Sequence, residues 1–440
     1  MSSLTAEKGQ APEAEILESH KKFIEDKGTS CKFSFLNEVG ASQFEKLGFP
    51  GRKHEMFTFV NTNAVVSNFS SPSVTEIDKD QISGFVYPGC EKSFLVLVDG
   101  KYREDLSETS GIEDSIKLVS GGDALDDPEV REYVESSTKT ENDVFASINS
   151  AFRYDGLFLD VSPKAIMKSP IQILVISGGS KDKTESSRPW ILARVGDLAE
   201  AKIIVRYAGL NGNYFVNSVQ DYLVGNGAGL ELAHIETDKK DARNFSKTRL
   251  VLNRDSRFNG SNVSYGTALT RCHLDVRLKS PGAEFRLNSV SVLEKSEQVH
   301  NYMRVYHEAP QCASAMHFKN IVNDQSRSSV DGTVIVERDA QLTNSDQLIN
   351  SLALSDGAHA DSKPNLIINA NDVKCTHGNT VGQIDEEQLF YLKARGLSES
   401  IAKTLLTKSF AASIVDTIAF PNVRKDVENT LLRKLEENDD

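Results

Sequence analysis

The sequence contains only five cysteines in 440 residues, and no two of them lie close together. They are Cys31, Cys90, Cys272, Cys312 and Cys375, an odd number with no Cys-x-x-Cys pair. Such a set argues against a disulfide framework and against a preformed four-thiolate zinc site. We therefore expect a protein of a reducing compartment.

Long hydrophobic runs are also missing. No stretch approaches the roughly 18 apolar residues that a membrane-spanning helix requires. The first ten residues lack the basic segment followed by an apolar one that marks a signal peptide. The sequence therefore predicts no membrane segment and a cytoplasmic location.

Positive charge is scarce, because 50 Lys and Arg residues stand against 63 Asp and Glu residues, for a net charge of −13. Since phosphates bind to basic surfaces, this balance argues against nucleic acid or an anionic membrane as a partner. The chain also lacks a Gly-x-x-x-x-Gly-Lys-[Ser/Thr] loop and a Gly-x-Ser-x-Gly elbow, so we expect no bound nucleotide. The acidic run 385–387 is explained by its place at a helix start. Nothing in these patterns predicts an enzyme.

The sequence pattern divides the chain into three predicted domains: helical and irregular structure over 1–155, short strands over 156–382, and helices over 383–440. Within the middle part, β-branched or alternating runs recur between turn residues, and no helix is predicted among them. The predicted strands are Gln172–Ile176, Ile203–Tyr207, Leu230–Ile235, Thr248–Leu252, Leu274–Leu278, Glu284–Val292, Thr333–Val336 and Leu366–Ile368.

Small residues open several of these strands at a loose period. Ala201, Gly229 and Ala283 lie 28 and 54 residues apart, which is about one and two units of roughly 27 residues. A helix-free repeat of this length fits one coil of a parallel β-helix, in which each coil covers the next. A β-sandwich gives a similar strand pattern, and the residues alone leave both folds open.

The last 58 residues carry helix signals. A helix is predicted over Asp385–Arg395, ending at Gly396, and Ser398 caps a second one over Glu399–Thr407. We expect that second helix to turn Ile401, Leu405 and Leu406 inward. Further apolar residues follow at helical spacing, with a narrow stripe after Pro421; these residues are Phe410, Ile414, Ile418, Val423, Val427, Leu431 and Leu435.

The chemistry of the sequence is concentrated in Asn369–Gly378, which reads Asn-Ala-Asn-Asp-Val-Lys-Cys-Thr-His-Gly. The second half of this stretch alternates as a strand does, and Cys375 and His377 would therefore project from the same face. A thiol beside an imidazole can hold a soft metal or an iron–sulfur fragment. The plain alternative is a small buried cysteine and an unrelated histidine.

The residues after this pair make the signal specific. The string from Asp372 to Gly396, with Thr-Val-Gly-Gln-Ile-Asp-Glu-Glu-Gln-Leu-Phe-Tyr-Leu after the Cys-Thr-His-Gly, resembles the signature of the SufB/SufD family and most closely its SufD branch. The resemblance covers about the last 280 residues and extends more loosely into the first 160. Members of this family are scaffold subunits of the machinery that assembles iron–sulfur clusters.

The resemblance implies a mainly β fold, with a right-handed parallel β-helix between an N-terminal helical or irregular domain and a C-terminal helical domain. It implies a non-catalytic scaffold of the SUF complex that pairs with a SufB-like subunit near the C-terminal end of the β-helix and binds a SufC-like ATPase. A homodimer is a further expectation. Cys375 and His377 would then meet a transient iron–sulfur cluster or iron at the subunit interface. The implied partner-binding residues are Leu389, Phe390, Leu405, Phe410, Val423 and Val427.

Two rival functions stay open. A β-helix carbohydrate-active enzyme would need a groove of clustered Asp, Lys and Arg, and usually secretion. A purely structural partner subunit would use Cys375 and His377 only for interface packing. A second group of metal-ligand types (His300, His307, Cys312, His317) has spacings that match no standard zinc site, so we expect no metal there.

Overall fold

The computed structural model describes residues 12–27, 31–51, 54–62, 75–179 and 184–436. The first ten residues, from which the lack of a signal peptide is predicted, lie outside this part. Among the described helices, none is long and apolar enough to cross a bilayer. The helices are α1 (Pro12–Lys27), α2 (Ser34–Leu47), α3 (Lys79–Ser83), α4 (Gly121–Ala124), α5 (Pro128–Lys139), α6 (Val144–Ala151), α7 (Glu386–Ala394), α8 (Glu399–Val415) and α9 (Pro421–Glu436), with 3₁₀ turns at Glu55–Phe57 and Glu104–Leu106.

Strands make up the middle of the molecule. They are β1 (Phe94–Val98), β2 (Lys101–Tyr102), β3 (Ile116–Ser120), β4 (Leu157–Val161), β5 (Ile171–Ser177), β6 (Glu185–Ser187), β7 (Trp190–Val195), β8 (Glu200–Gly209), β9 (Tyr214–Val224), β10 (Gly229–Thr237), β11 (Arg243–Leu252), β12 (Arg257–Ser264), β13 (Leu269–Leu278), β14 (Glu284–Leu293), β15 (Gln298–His307), β16 (Ala313–Val322), β17 (Arg327–Val336), β18 (Thr343–Ala353), β19 (His359–Ile368) and β20 (Val373–Gly382).

The strands form two long sheets that face each other. One sheet has the order β2-β1-β5-β8-β10-β12-β14-β16-β18-β20, and the other runs β19-β17-β15-β13-β11-β9-β7-β4-β3, with β6 paired to β9. From β7 onward successive strands alternate between the sheets, and from β4 onward each strand pairs in parallel with the strand of the next coil. The mainly β fold with a parallel β-helix is therefore confirmed, and the alternative β-sandwich is wrong.

Strand register confirms the coil length that the small residues predicted. Leu230 pairs with Ala201 on one side and with Phe258 on the other, so the coils there are 29 and 28 residues long. Each predicted strand lies within or overlaps an observed one. The inward side chains of both sheets form one continuous core between Leu95 and Ala370.

The sheets also recruit strands from the N-terminal region. β1 pairs in parallel with β5, while β2 and β3 join by antiparallel pairing at the edges. The sequence over 1–155 predicts helical or irregular structure and did not predict β1, β2 or β3. These strands are short and isolated between turns, so they give little local signal. The domain boundary near residue 156 stays a prediction.

Helices α5 and α6 hold a buried ionic cluster against the outer face of the sheet that contains β13. Asp143 caps α6 by accepting from the Phe145 N–H at 2.9 Å, and its other oxygen lies 2.6 Å from Arg271 Nη1 and 2.6 Å from His273 Nδ1. All three charged or ionisable side chains are about 1% exposed. Burial alone would raise the pKa of Asp143, but Arg271 and His273 outweigh it and hold that pKa well below its usual value.

The C-terminal helices lie on the outer face of the other sheet. Val423, Val427, Leu431 and Leu435 of α9 pack with Val263, Val290 and Ile321, which confirms the predicted apolar stripe. The Lys434 ammonium at the end of α9 donates to Val292 O at 3.1 Å and to Glu297 Oε2 at 2.7 Å.

One expectation about α8 is wrong. Ile401 is 51% exposed and Leu405 is 43% exposed, whereas Ala402 and Ala411 are fully buried. In its first half the helix turns the small Ala402 inward, which permits a close approach, and Ile401 and Leu405 are left on the outside.

Candidate functional site

The β-helix ends in an uncovered coil made of β19 and β20. Each is the last strand of its sheet, so in the described chain each has a neighbour on one side only. Almost every residue of the two strands is partly or fully exposed. Ten-residue edges of this kind carry rows of backbone donors and acceptors that can pair with another chain.

Cys375 and His377 lie on β20, in the register positions that face the interior in earlier coils. Cys375 pairs with Ser345 and His377 with Gln347, and both of those β18 residues are buried. Because no further coil covers β20, the Cys375 side chain is half-buried and His377 is exposed. The strand and the shared face of the two residues are as predicted, and the shared face opens at the end of the β-helix.

The environment of Cys375 favours the neutral thiol. Its side chain packs partly against the core, and this burial raises the pKa of the thiol above its usual value. Metal binding requires the thiolate. Deprotonation of the Cys375 thiol would therefore require a metal or a cationic group at the open face.

A polar floor lies one coil beneath His377. Gln347 is fully buried, and neither its amide oxygen nor its amide nitrogen has a hydrogen-bond partner among the described residues. The amide reaches across the interior to Gly332, where a Cβ would lie only 1.8 Å from Gln347 Nε2. Gly332 thus makes room for an amide that is not satisfied within the chain. The burial of Gln347 was not predicted, because an isolated glutamine in a strand gives no signal of burial.

The outer face of the same strand carries a separate exposed cluster. Asp346 accepts from Thr376 Oγ1 at 2.7 Å and lies 2.8 Å from His317 Nε2. The hydrogen bond from Thr376, and then that with His317, lowers the pKa of Asp346. Thr376 therefore faces away from its neighbours Cys375 and His377 and helps to fix the strand that carries them.

No group of three His, Cys, Asp or Glu side chains among the described residues is arranged to hold a metal ion. Cys375 and His377 therefore make up at most part of a ligand set, and a four-coordinate site would need groups from elsewhere. The second candidate group is dispersed. His300 lies 2.7 Å from Ser329 Oγ, His307 lies 2.9 Å from Ser314 Oγ, and burial lowers the pKa of both imidazoles.

The six predicted partner-binding residues fall into two groups. Phe390 is 73% exposed on α7, Leu405 is exposed on α8, and Phe410 is half-buried. Leu389, Val423 and Val427 are buried against the chain itself, at 5%, 0% and 1% exposure, so a partner could reach them only if the helices moved. Tyr391 and Ile401, which the prediction omitted, are exposed next to the first group in sequence. We call Phe390, Tyr391, Ile401 and Leu405 the helical patch.

Comparison with known proteins bears on the whole chain. A family model described as "SUF system FeS cluster assembly, SufBD core domain" matches residues 176–410, and one described as "SufBD protein N-terminal region" matches residues 14–173. The first of these ranges includes the open coil and both α7 and most of α8.

Individual relatives are similar over most of their length. An iron–sulfur cluster assembly SufBD family protein of Synechocystis is 26% identical over 391 residues, which is 86% of each chain. The iron–sulfur cluster assembly protein SufD of Escherichia coli is 26% identical and spans 88% of this chain and 89% of its own. A chloroplastic protein of Arabidopsis thaliana is 27% identical and spans 91% and 86%. From the matches to both family models, this chain belongs to the SufBD family of iron–sulfur cluster assembly proteins.

Proposed function

We propose that this chain is a non-catalytic, SufD-like scaffold subunit that pairs end to end with a SufB-like subunit in the cytoplasm. The observation that carries the proposal is the uncovered coil β19–β20, whose interior face presents Cys375 and His377. Pairing would extend both sheets into the partner and satisfy the free backbone edges. A transient iron–sulfur cluster, or iron, would be the cargo at this seam.

The chemistry of the pair supports this role. Neutral imidazole suits iron, and thiolate suits both iron and sulfur. Because two side chains cannot complete a cluster site, the remaining ligands would come from the partner subunit. A second copy of this chain can meet the same edge, which keeps a homodimer as the alternative pairing.

His377→Ala in the co-expressed complex tests the proposal. We expect the complex to remain assembled, since His377 is exposed, while reconstituted iron and sulfide fall to background. Cys375→Ala should lower the reconstituted iron and sulfide less, because Cys375 is half-buried and we rank it second to His377 as a ligand. His317→Ala is the matched control, since His317 lies on the outer face of the same sheet.

Mössbauer spectra of the anaerobic complex separate ligation from packing. Ligation predicts that the iron signal changes when His377 is removed. If iron and sulfide reconstitute equally with His377→Ala, the purely structural subunit is the correct description. The rival carbohydrate-active enzyme would instead require activity on a polysaccharide.

The helical patch is the proposed docking surface for a SufC-like ATPase. Four large apolar side chains, exposed between 43% and 73%, lie on two consecutive helices that are linked by a Lys393–Glu399 ion pair. Exposed apolar patches of this kind commonly mark protein interfaces. We expect Phe390→Ala with Leu405→Ala to weaken binding of the ATPase at least tenfold. Leu198→Ala is the control, because Leu198 is 58% exposed on a turn of the β-helix.

A further inference from the structure

Polar side chains stack along one interior corner of the β-helix, where strands of one sheet turn into the other. In the first sheet, register aligns Glu236, Ser264, Ser291, Asn320 and Ser351 in successive coils. In the second sheet, Cys272 pairs with Asn301 of the next coil. Ser328 lies on the strand of the coil after that, two residues before the residue that pairs with Asn301. We call these eight residues the polar column.

Members from the two sheets meet across the interior. Cys272 Sγ donates to Glu236 Oε1 at 3.3 Å, which joins the sheets at the inner end of the column. Asn320 Nδ2 donates to Ser351 Oγ at 3.2 Å near the other end. Beyond the inner end, the interior polar groups satisfy one another, because Tyr207 Oη donates to Ser218 Oγ at 2.8 Å and accepts from Gln220 Nε2 at 2.9 Å.

The middle of the column is different, because its polar atoms have no partners. Asn301 is 2% exposed, and neither atom of its amide makes a hydrogen bond to any residue that the structure describes. The hydroxyls of Ser291 and Ser328, which are 1% and 0% exposed, are also unpartnered. A buried polar group without a partner destabilises the fold, because it has given up its hydrogen bonds to water. Three such residues in adjoining coils would cost a large share of the stability of a domain.

Space of the size of water is present at the inner end of the column. A cavity of about 40 Å³ is lined there by Cys272, Asn262 and Ser246, among others, and its lining does not include Asn301, Ser291 or Ser328. A water molecule needs about 10–15 Å³ of such volume together with two to four polar partners. Adjacent coils are about 4.8 Å apart, so a water between two coils reaches polar groups on both. A metal ion is not the occupant, because no three ligand-type side chains in the described chain are arranged for one.

We infer that the polar column binds a file of water molecules, about one per coil, from the Glu236–Cys272 pair toward the open end of the β-helix. The file supplies the hydrogen bonds that Asn301, Ser291 and Ser328 lack. The file stops at the inner end, where the side chains of Tyr207, Ser218 and Gln220 form hydrogen bonds directly with one another. This inference is independent of the role proposed for Cys375 and His377.

The file also gives Glu236 a route for proton exchange. This carboxyl is 2% exposed, and one of its oxygens has no hydrogen-bond partner. Hydrogen-bonded waters that extend from it to the open end would connect it with bulk solvent. Burial, with a smaller contribution from Asp238, raises the pKa of Glu236 to about 7. The carboxyl therefore gains or loses its proton near neutral pH.

Oxygen-17 magnetic relaxation dispersion on the full chain tests the file, because it counts long-lived internal waters. Asn301→Leu should remove at least one such water relative to the unchanged protein. Met316→Leu is the matched control: it introduces the same side chain at a buried inward position of the apolar core, outside the polar column and outside the cavity beside Cys272. An unchanged count with Asn301→Leu would overturn the inference.

A milder variant keeps the test valid if Asn301→Leu does not fold. Ser291→Ala with Ser328→Ala removes only two hydroxyls and should also lower the count. A high-resolution crystal structure of the unchanged chain should show ordered solvent within hydrogen-bonding distance of Asn301, Ser291 and Ser328. Continuous protein packing at those atoms, without solvent, would refute the file directly.

Infrared spectroscopy reads the exchange route separately. Glu236→Gln identifies the C=O band of the Glu236 carboxyl by difference. On transfer to D₂O, that band should shift at least tenfold more slowly with Asn301→Leu than in the unchanged chain, whereas Met316→Leu should leave the rate as it is. Equal rates in all three proteins would show that Glu236 does not exchange through the column.

Discussion

The two ends of the β-helix differ in how their edges are treated. At the beginning, β2 has two residues and β3 has five, and both close their sheets by antiparallel pairing. At the other end, β19 and β20 have ten residues each and no neighbour on their outer side among the described residues. Short edges discourage pairing with another chain, and long free ones invite it. The contrast is the reason that we place the proposed subunit interface at the second end rather than at the first.

Two Asp–His pairs show a related contrast. At β13, in the middle of the β-helix, the chain buries the Asp143–His273 pair, and near the open end it displays the Asp346–His317 pair in solvent. The two pairs have the same chemistry and comparable distances, but only the first is sealed beneath helices. Substitutions of the two pairs should therefore differ in their effects on stability and on association.

The largest effect is expected from Asp143→Ala. The change leaves Arg271 buried without its counter-ion and removes the cap of α6, which together should destabilise the chain by about 3–5 kcal/mol. Asp346→Ala should cost under about 1 kcal/mol, because that pair is exposed and solvated. Denaturant unfolding of both variants measures the difference. Equal losses would show that the buried charges around Asp143 do not stabilise the chain more than the exposed pair does.

The interior between the two ends should show a pH effect through Glu236. Its pKa is raised to about 7 in the folded chain from an ordinary value near 4.5. The folded state therefore holds a proton that the unfolded state releases, and stability is lost as pH rises from 4.5 through 7. The loss should be about 3 kcal/mol, and Glu236→Gln should abolish this slope. Unfolding midpoints at several pH values give the slope, and an unchanged slope in the variant would contradict the assignment.

A third effect concerns the floor of the open end. In Gly332→Ala the new Cβ would clash with the Gln347 amide, at a cost of about 1–3 kcal/mol. Gln347→Ala in the same chain should relieve most of that cost, since it removes the group that is struck. A double-mutant cycle measures this coupling. Purely additive effects would show that the Gln347 amide does not cross the interior toward Gly332.

The smallest effect on stability is expected at the open edge. Ile367→Lys with Val381→Lys alters two side chains that are 51% and 54% exposed, so the free energy of unfolding should change by under about 0.5 kcal/mol each. Association with a SufB-like partner should nevertheless weaken at least tenfold, because charge opposes strand addition. Leu198→Lys, on a turn, should leave association unchanged. Analytical ultracentrifugation of the mixed subunits distinguishes these outcomes.

Much of the architecture could be predicted from the sequence, but several strands could not. Gln298–His307, Ala313–Val322 and Thr343–Ala353 were not predicted as strands. Their inward positions carry polar residues such as Asn301, Asn320 and Gln347, so the apolar alternation that marks a half-buried strand is interrupted. A β-helix tolerates this because each coil is held by the coil before it.

The candidate site was predictable in its residues and not in its surroundings. The strand, the turn before it and the shared face of Cys375 and His377 follow from local alternation. Their exposure at the end of the stack depends on what lies beyond residue 382, which local pattern does not reveal. The burial of Val423 and Val427 likewise depends on which sheet α9 covers. The roles of Cys375 and His377 stay proposals.

The single unfinished end also limits stoichiometry. A repeat structure with two free ends would add subunits without limit and form fibres. In the described chain only the β19–β20 end carries long free edges, because the short strands β2 and β3 close the other end. If the proposed pairing takes place there and the partner is built alike, the contact would use the long edges of both solenoids, and growth along the axis would end at two subunits.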